Sequence, residues 1–264
     1  MSYISILKLM PMEKEILNAA ADPMGAAIYD YYVNGNADTL VVHSSMFEDD
    51  EIPVESLFRS LEDMPELERI ALEEAQGRIL DVGAGSGCHS VALQKLGKAA
   101  VAIDISPLSV DVMKRRGLDA RQINLFDETF NEKFDTVLML MNGTGIVGTL
   151  DNMPAFFERM KQLLTPDGCI LIDSSDLRYL YEEEDGSLMI DLADDYYGQL
   201  DYQMEYVGAT DIRLEGVKGE PFDWLYVDME TLSRHAAQYG FRTEVLHLGA
   251  HYDYLVRITR KNDD

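Results

Sequence analysis

The sequence predicts an α/β protein with a doubly wound, mostly parallel sheet, and three observations support that prediction. Short apolar runs alternate with helix-like segments through the middle of the chain, which indicates parallel strands joined by right-handed crossovers. One helix-like segment followed by two strand-like runs ends the chain, as in a sheet that finishes in an antiparallel hairpin. A length of 264 residues, 47% of them hydrophobic, suffices for one large α/β domain with its own core.

The first 75 residues are predicted to form an N-terminal helical cap. Residues 11–75 are predicted to be mostly helical, with turn signals at Asp22-Pro23, Asn34-Gly35 and Pro53. The first ten residues lack the basic leader and the cleavage site of a secretory signal. No apolar run approaches the roughly 20 residues of a membrane helix. We therefore expect neither a signal peptide nor a membrane segment.

The remaining residues, 76–264, are predicted as the main domain, with its sheet built from buried apolar runs. Helices are expected at 90–96, at 107–116 after a Ser106 cap, and after an Asp151 cap. This last helix has an apolar stripe of Met153, Phe156, Phe157, Met160 and Leu163/Leu164, and a turn at 165–168 follows it. The predicted central strands are 78–82, 99–104, a weaker 122–125, 135–141 and 169–174.

The C-terminal third is predicted to contain an insertion and then the end of the sheet. Residues 175–228, rich in tyrosine and acid, follow the last central strand and contain β-like runs at 203–207 and 224–228. A helix at 229–239 stops at Gly240, and two further strands are expected at 243–248 and 252–259.

A strand that ends in an acid and runs into a glycine loop is the main chemical motif. Gly83, Gly85 and Gly87 follow Asp81, and glycines let a ligand lie against the main chain. Cys88 stands where a dinucleotide fingerprint has Gly or Ala, and no Gly-Lys-Ser/Thr of a P-loop follows. The spacing favours a nucleoside without phosphates.

The motif Asp81-x-Gly83-x-Gly85-x-Gly87 resembles the cofactor signature of class I S-adenosylmethionine-dependent methyltransferases. The resemblance implies a Rossmann-like sheet of seven strands, S-adenosyl-L-methionine as cofactor and S-adenosyl-L-homocysteine as product. It also implies that Asp104 holds the ribose hydroxyls and that Asp127 reads the adenine amino group beside Leu125 and Phe126. The full predicted set of cofactor-binding residues is Asp81, Gly83, Ala84, Gly85, Gly87, Asp104, Ile105, Leu125, Phe126, Asp127, Met141 and Asn142.

The acceptor site and the catalytic group are less defined by the sequence. Asn142, at the end of the fourth predicted strand, and Tyr29, on an N-terminal helix, are predicted to contact the acceptor. An ordinary Asn-Gly turn and aromatic packing of the cap are the respective alternatives. None of the five histidines has a spacing that identifies a general base, so the catalytic residue is unassigned. No metal site is predicted, because no histidine pair has helical ligand spacing.

The acidic composition restricts the partners. A formal net charge of −26 disfavours nucleic acid and anionic membranes. Two cysteines cannot make a disulfide framework, so a cytoplasmic location is expected. Residues 48–68 hold nine acids and one arginine, and 173–205 hold eleven acids and one arginine. These segments are predicted to frame a neutral or cationic acceptor, with plain solvation as the alternative.

The predicted activity is in-line methyl transfer from S-adenosylmethionine to a small-molecule acceptor. A non-catalytic cofactor-binding sensor or scaffold and a protein methyltransferase are the alternatives. An oxidoreductase is disfavoured because the dinucleotide spacing is absent. Residues 141–144 lack the Asn/Asp-Pro-Pro-Tyr/Phe tetrad expected for methylation of exocyclic base amines. The sequence does not determine the oligomeric state.

Overall fold

The computed structural model describes residues 16–182, 185, 187–189, 195–208 and 216–261. The first fifteen residues of the predicted cap and parts of the predicted insertion lie outside the described residues. The helices are α1 (Pro23–Asn34), α2 (Glu66–Glu74), α3 (Cys88–Lys95), α4 (Pro107–Arg115), α5 (Met153–Leu163) and α6 (Met229–Gln238). The strands are β1 (Leu40–His43), β2 (Asp50–Ile52), β3 (Ile79–Val82), β4 (Ala100–Asp104), β5 (Asp119–Gln122), β6 (Phe134–Met139), β7 (Leu164–Ser175), β8 (Gln199–Tyr206), β9 (Val217–Lys218), β10 (Phe222–Leu225), β11 (Phe241–Leu248) and β12 (Asp253–Arg260).

Seven strands form the central sheet in the order β11-β12-β7-β6-β3-β4-β5, which confirms the predicted fold class. Strands β3 to β7 pair in parallel, whereas β12 is antiparallel to both β7 and β11. From β3 the chain winds outward through β4 and β5, and then returns to β6 on the other side. This reversal makes β3 the switch point, beside which doubly wound sheets bind ligands at their carboxyl edge.

The apolar stripe of α5 is buried as predicted. Its side chains pack on the sheet together with Phe241 of β11, and the rings of Phe157 and Phe241 lie 5.4 Å apart. Asp151 does not cap this helix: it lies within the 3-10 helix Leu150–Asn152 that precedes it. Pro154 at the start of α5 is tolerated because the first helical N–H groups have no partner within the helix. The stripe residues Met153, Phe156, Phe157, Met160 and Leu163 are all buried.

Two predicted boundaries are wrong. The third central strand, β5, ends at Gln122, and residues 123–125 enter a loop whose apolar side chains pack against the core. Their hydrophobicity reflects this packing, not a strand. Residues 165–168 belong to β7: Phe134 pairs with Leu164 and Thr136 with Cys169, so the extra residues form an irregularity within the ladder.

A second sheet, here called the outer sheet, combines the N-terminal segment with the predicted insertion. Its strands run in the order β10-β8-β1-β2, with β9 also paired to β8, and every pair is antiparallel. The cap therefore contains α1 and α2, as predicted, but also two unpredicted strands. Leu40 of β1 pairs with Tyr206 of β8, a contact between residues far apart in sequence that local periodicity does not indicate.

The outer sheet is anchored at both of its ends. Leu40 and Tyr206 pack into a cluster with Ala26 and Ile28 of α1, and the Tyr206 hydroxyl donates a 2.6 Å hydrogen bond to Asp30. At the other end, Trp224 covers Gly145, where a Cβ would lie 1.9 Å from the indole. The outer sheet thus spans from α1 to the segment that follows β6. No helix among the described residues is long and apolar enough to cross a membrane.

Candidate active site at the carboxyl edge

The glycine loop lies at the carboxyl edge of the parallel strands and is hydrogen-bonded to β4. Gly83, Gly85 and Gly87 have φ angles of 66°, 55° and 80°. These left-handed conformations favour glycine, as the motif predicts. The Gly83 N–H donates to the Ile103 carbonyl at 2.9 Å, and the Gly85 N–H donates to Asp104 Oδ2 at 2.8 Å. The loop and the end of β4 therefore form one unit.

The surroundings of the glycines distinguish a ligand-facing position from a packing position. A Cβ on Gly85 would meet only Ile28 of α1, at 3.8 Å, and one on Gly83 would meet Ile146 at 2.7 Å. A Cβ on Gly87 would instead collide with Leu118 at 2.5 Å, within the hydrophobic interior. Gly83 is exposed and Gly85 is half-buried, so their main chain is accessible between α1 and residues 143–147, whereas Gly87 is buried. The left-handed φ of Gly87 and its close packing on Leu118 and Met113 give this glycine a structural reason, and its predicted contact with the cofactor stays a prediction.

Asp104 is positioned to accept further hydrogen bonds. Its Oδ2 accepts the hydrogen bond from Gly85, and its Oδ1 accepts one of 2.9 Å from the Ser106 N–H. Two oxygens provide about four lone-pair sites, so capacity remains for a vicinal diol. Burial raises the pKa of Asp104 to about 6, although its backbone hydrogen bonds oppose that shift.

Asp22 connects α1 to this end of β4, a connection that the sequence did not reveal. Its fully buried carboxylate accepts hydrogen bonds from the Gly25 N–H at 2.9 Å and the Ser106 hydroxyl at 2.6 Å. Burial raises the pKa of Asp22, while these hydrogen bonds oppose the shift. One side chain thereby caps α1 and joins it to Ser106, which itself caps α4 as predicted.

Asp81 faces the protein interior. Its side chain is 2% exposed, and its Oδ2 accepts a 2.7 Å hydrogen bond from the Ser90 hydroxyl in the first turn of α3. Burial raises its pKa, and the nearby His89 and the Ser90 bond oppose that shift. Asp81 holds the strand and the helix on the two sides of the glycine loop together. Direct contact with a cationic ligand end stays a prediction.

The loop after β5 holds the residues predicted to surround adenine. Leu125 and Phe126 are buried, and the Phe126 N–H donates to Asn124 Oδ1 at 2.9 Å. Asp127 Oδ1 accepts hydrogen bonds from the N–H and the hydroxyl of Thr129. Beneath this loop, Arg159 of α5 donates to the Leu125 and Asp127 carbonyls. In the sequence, Arg159 is only a cation beside the apolar stripe of α5, a pattern that does not indicate its partners.

Residues 141 and 142 adopt a strained conformation directly after β6. Met141 and Asn142 have φ angles of 67° and 57°, which non-glycine residues seldom adopt. Asp173 Oδ1 accepts from the Gly143 N–H at 2.9 Å, and the Ser175 hydroxyl donates to Asn142 Oδ1 at 3.1 Å. Burial raises the pKa of Asp173 to about 6, and hydrogen bonds to backbone N–H groups oppose the shift. The turn presents Met141 to solvent at this edge.

Two other predicted contacts lie around the site. Ile105 is partly exposed beside Asp104, and its carbonyl accepts from the Leu17 N–H at 3.0 Å. Tyr29 packs elsewhere: Arg115, in the last turn of α4, lies 5.4 Å from its ring centroid. This placement does not support acceptor binding by Tyr29, and it agrees with the alternative of aromatic packing.

No histidine was assigned as a general base, and the one beside the glycine loop faces away from it. His89 Nε2 lies 2.9 Å from Glu68 Oε2, in a buried group that also contains Arg59. Within the described ranges, no group of three or more His, Cys, Asp and Glu side chains is arranged to hold a metal ion.

The outer sheet presents aromatic side chains at the same edge. On β8, Tyr202 shares a face with the anchoring residue Tyr206, and it pairs with Phe222 of β10. The Tyr202 and Tyr226 hydroxyl oxygens lie 3.3 Å apart. Burial raises the pKa of both phenols, so both remain protonated at neutral pH.

Comparison with known proteins identifies the architecture. A family model described as a methyltransferase domain matches residues 55–244, more than half of the chain. The chain belongs to this methyltransferase family. A solved S-adenosylmethionine-dependent methyltransferase from Bacteroides fragilis, in complex with S-adenosyl-L-homocysteine, is 60% identical and aligns over 94% of this chain and 99% of its own, with a TM-score of 0.86. The recognition, the enzyme class and the cofactor inferred from the sequence are thereby confirmed.

More distant methyltransferases are similar over part of the chain or in fold alone. Cypemycin N-terminal methyltransferase from a Streptomyces species is 31% identical over 102 residues, which are 37% of this chain and 42% of that protein. The match thus spans less than half of that relative. The CcbJ methyltransferase from Streptomyces caelestis, at 13% identity, aligns over 91% of this chain and 99% of its own, with a TM-score of 0.60. It shares the fold.

Ionisation of Asp104 predicts pH-dependent cofactor binding. If only the carboxylate accepts the ribose hydroxyls, a pKa of about 6 makes the affinity fall as the pH drops through that value. We expect S-adenosyl-L-homocysteine to bind about 10-fold more weakly at pH 5 than at pH 7.5. Isothermal titration calorimetry across this range measures the effect. Asp173→Asn should keep the dependence, because Asp104 remains, and a flat profile in the wild-type protein contradicts the assignment.

Proposed function

We propose that this methyltransferase modifies a small neutral or cationic acceptor that binds between the carboxyl edge and the outer sheet. The observation that supports this proposal is that the outer sheet extends across the glycine loop. Its anchors on α1 and on Gly145 lie on the two sides of the glycine loop, since α1 approaches Gly85 and residues 143–147 approach Gly83. A molecule bound at the loop therefore lies beneath strands that come from both acidic segments.

The cofactor is proposed to lie along the glycine loop. Gly83 and Gly85 would contact it through main chain, Asp104 would accept the ribose hydroxyls, and residues 125–127 would surround adenine. The open main chain at Gly85 and the remaining acceptor capacity of Asp104 fit such a nucleoside. When bound, S-adenosylmethionine supplies an electrophilic methyl group on a sulfonium.

The protein's own residues contribute alignment and exclusion of water. The strained turn at 141–142 is held by Asp173 and Ser175, so its backbone is fixed before a ligand arrives. Because the site holds the two reactants in a fixed geometry, they lose less entropy when they reach the reactive arrangement. The outer sheet above the edge limits access of water, which favours a step in which the positive charge of the sulfonium is spread over sulfur, methyl carbon and a neutral nucleophile in the transition state. Neither contribution requires a strong base.

Charge supports the acceptor class. The described part of the acidic segments includes Asp50, which shares the inner face of the outer sheet with Val42 by register. Its charge also contributes to the raised pKa of Tyr202, after the larger effect of burial. Carboxylates such as Asp50 beside a binding site attract cations and repel polyanions. A neutral or cationic acceptor is therefore favoured over nucleic acid, and the cytoplasmic location stays a prediction.

An acceptor screen tests this function. The purified protein is incubated with S-adenosylmethionine and a library of small amines, alcohols and thiols, and S-adenosyl-L-homocysteine and methylated products are quantified. We expect turnover of an amine-bearing or neutral compound, with kcat/KM for a cation falling as salt is added. Turnover restricted to anions contradicts the proposal. Cofactor binding without turnover of any compound favours the sensor alternative.

Methylation of a peptide amino terminus is a second candidate. The cypemycin enzyme, by its name, acts on an N-terminus. An amino terminus is a small group that is attracted as a cation and reacts as the neutral amine, once its proton has passed to water. Short peptides with free and acetylated N-termini belong in the same screen. This candidate is favoured if peptides with a free N-terminus are methylated faster than every small amine in the screen and the acetylated peptides are not methylated.

The Tyr202 and Tyr226 hydroxyls are predicted to orient the acceptor. In the contact between the two hydroxyls one O–H donates to the other, so the pair keeps one O–H donor for a ligand beneath the outer sheet. One such hydrogen bond contributes about 1 kcal/mol. We expect Tyr202→Phe or Tyr226→Phe to raise the acceptor KM about 5- to 10-fold, with little change in the KM for S-adenosylmethionine. Steady-state kinetics with the acceptor found in the screen measures both.

Tyr239→Phe is the matched control for these variants. Tyr239 stacks on Phe157 at α5, with the ring centroids 5.9 Å apart, so its hydroxyl is remote from the carboxyl edge. Tyr239→Phe should leave the KM for the acceptor and the KM for S-adenosylmethionine within about twofold of the wild-type values. An unchanged acceptor KM in the Tyr202 and Tyr226 variants removes the pair from the acceptor site.

A further inference from the structure

Arg159 of α5 is a buried cation whose hydrogen bonds converge on one loop. Its side chain is 4% exposed, and its Nε donates to the Leu125 carbonyl at 2.6 Å. Its Nη2 donates to the Asp127 carbonyl at 2.8 Å and also to the Phe130 carbonyl. A single planar guanidinium thus binds three carbonyls within six residues of chain.

The third nitrogen of Arg159 also has a partner. Its Nη1 donates to Gln162 Oε1 at 3.0 Å, one turn along the same helix. All these acceptors are neutral carbonyl oxygens. Burial lowers the pKa of Arg159, and the nearby Asp127 and Glu128 charges oppose the shift. A guanidinium stays charged in proteins, so the carbonyls of the loop are held by charge-assisted donors.

The loop itself has few regular hydrogen bonds to fix its path. Residues 123–133 lie between β5 and β6, and their local bonds include those from Phe126 to Asn124 and from Thr129 to Asp127. These bonds shape turns within the loop. Its two ends are tied by the Ile123 N–H, which donates to the Asp104 carbonyl at 3.0 Å, and by Lys133, which donates to the Gln162 carbonyl at 2.6 Å. Its apolar side chains pack in the core. Between these ends, Arg159 ties the main chain of residues 125–130 to α5, which is packed on the central sheet.

We infer that Arg159 is a positioning residue for adenine recognition: by holding the 125, 127 and 130 carbonyls, it sets the loop that presents Leu125, Phe126 and Asp127 to the base. This inference rests on the proposed placement of the cofactor. Arg159 does not touch the ligand. Lysine offers three donors on one atom and cannot match the planar arrangement of Nε and Nη2.

Ligand binding to three variants tests the inference. Arg159→Met, Arg159→Lys and Arg260→Met are compared by calorimetry with S-adenosyl-L-homocysteine, adenosine and S-inosyl-L-homocysteine, which lacks the adenine amino group. We expect Arg159→Met to weaken the first two ligands by a similar factor of about 10, with Arg159→Lys intermediate. The preference for S-adenosyl over S-inosyl homocysteine should fall towards one, which a general loss of stability does not produce.

Arg260→Met is the matched control. Arg260 Nη2 also donates to two carbonyls, those of Lys161 at 2.7 Å and Leu164 at 3.2 Å, at the far end of α5. It should lower the melting temperature while keeping affinity within about twofold and the preference intact. An unchanged affinity and preference in folded Arg159→Met overturns the inference. If the wild-type protein binds none of these ligands, the proposed cofactor site fails instead.

Discussion

Asp104→Ala is expected to weaken S-adenosyl-L-homocysteine binding by about 100-fold or more. A carboxylate that accepts both hydroxyls of a ribose makes two charge-assisted hydrogen bonds, each of about 1.5–3 kcal/mol, and a loss of about 3 kcal/mol is about 100-fold in affinity. The substitution also removes the acceptor for the Gly85 N–H, so the glycine loop loses its tie to β4. Isothermal titration calorimetry at pH 7.5 measures the dissociation constant.

Asp111→Ala provides the control for this variant. Asp111 lies on α4 close to Asp104 in sequence, but its carboxylate is exposed and pairs with Arg115 at the surface. We expect its affinity to stay within about twofold of the wild type. Both proteins should show one cooperative unfolding transition, so that a loss of binding is not a loss of fold. Equal affinities in the Asp104 variant and the wild type remove Asp104 from the cofactor site.

Glu68→Ala is expected to lower the free energy of unfolding by about 3–5 kcal/mol. Glu68 accepts hydrogen bonds from Arg59 at 2.5 Å and 3.0 Å, and His89 lies 2.9 Å away on its other side. All three side chains are buried or nearly so. Removing the carboxylate leaves a buried guanidinium without its counter-ion, which is costly in a medium of low dielectric constant. Urea denaturation monitored by circular dichroism measures the change.

The matched control is Glu132→Ala at the surface. Glu132 likewise pairs with two arginines, Arg78 and Arg121, but all three side chains are about one-third exposed or more. Exposed ion pairs contribute about 1 kcal/mol or less, so this variant should lose little stability. A similar loss in both variants contradicts the role assigned to burial.

The stability contributed by Glu68 has a defined pH dependence. Burial raises its pKa, but the hydrogen bonds and charges of His89 and Arg59 outweigh burial, so the pKa is lowered overall. A carboxylate with a lowered folded-state pKa stabilises the fold above its unfolded pKa, and that contribution is lost as the pH falls through the folded-state value. The free energy of unfolding of the wild type should therefore approach that of Glu68→Gln as the pH is lowered.

This buried group connects the N-terminal segment to the cofactor loop. Arg59 also donates to the Ser56 carbonyl at 2.5 Å, and the neighbouring Leu57 carbonyl accepts from the Ser86 hydroxyl inside the glycine loop. The segment that contributes β1 and β2 to the outer sheet thus also fixes the loop beneath it. Under the proposed function, one N-terminal segment supports both the cofactor and the acceptor side of the site.

Much of the central domain was predictable because its signals are local. Buried parallel strands are short apolar runs, and helices begin at caps such as Ser106 and end near glycines such as Gly117. The positive φ angles of the glycine loop are a property of the residues themselves. These signals predicted the doubly wound sheet and its antiparallel C-terminal end, and the resemblance of the glycine motif predicted the seven strands and the family.

The predicted site residues were brought together only in part. Gly83, Gly85, Asp104 and the 141–142 turn lie at one edge, because the carboxyl ends of neighbouring parallel strands meet there. Asp81 and Gly87 instead have reasons for their identity inside the protein, in the bond to Ser90 and in packing on Leu118. A motif names residue types at a spacing, but it does not indicate which of them face inward.

The amino-acid sequence by itself determined the doubly wound core, the position of the glycine loop and the uneven acidity of the chain. Only the tertiary structure decided that the acidic segments meet in one outer sheet, that Glu68 neutralises Arg59, and that Arg159 holds the loop after β5. The physical reason is the sequence separation of the residues that interact. Helix and strand periods arise from neighbours within a few residues, whereas strand pairing, burial of charge and convergence of donors depend on chain segments that meet only after folding.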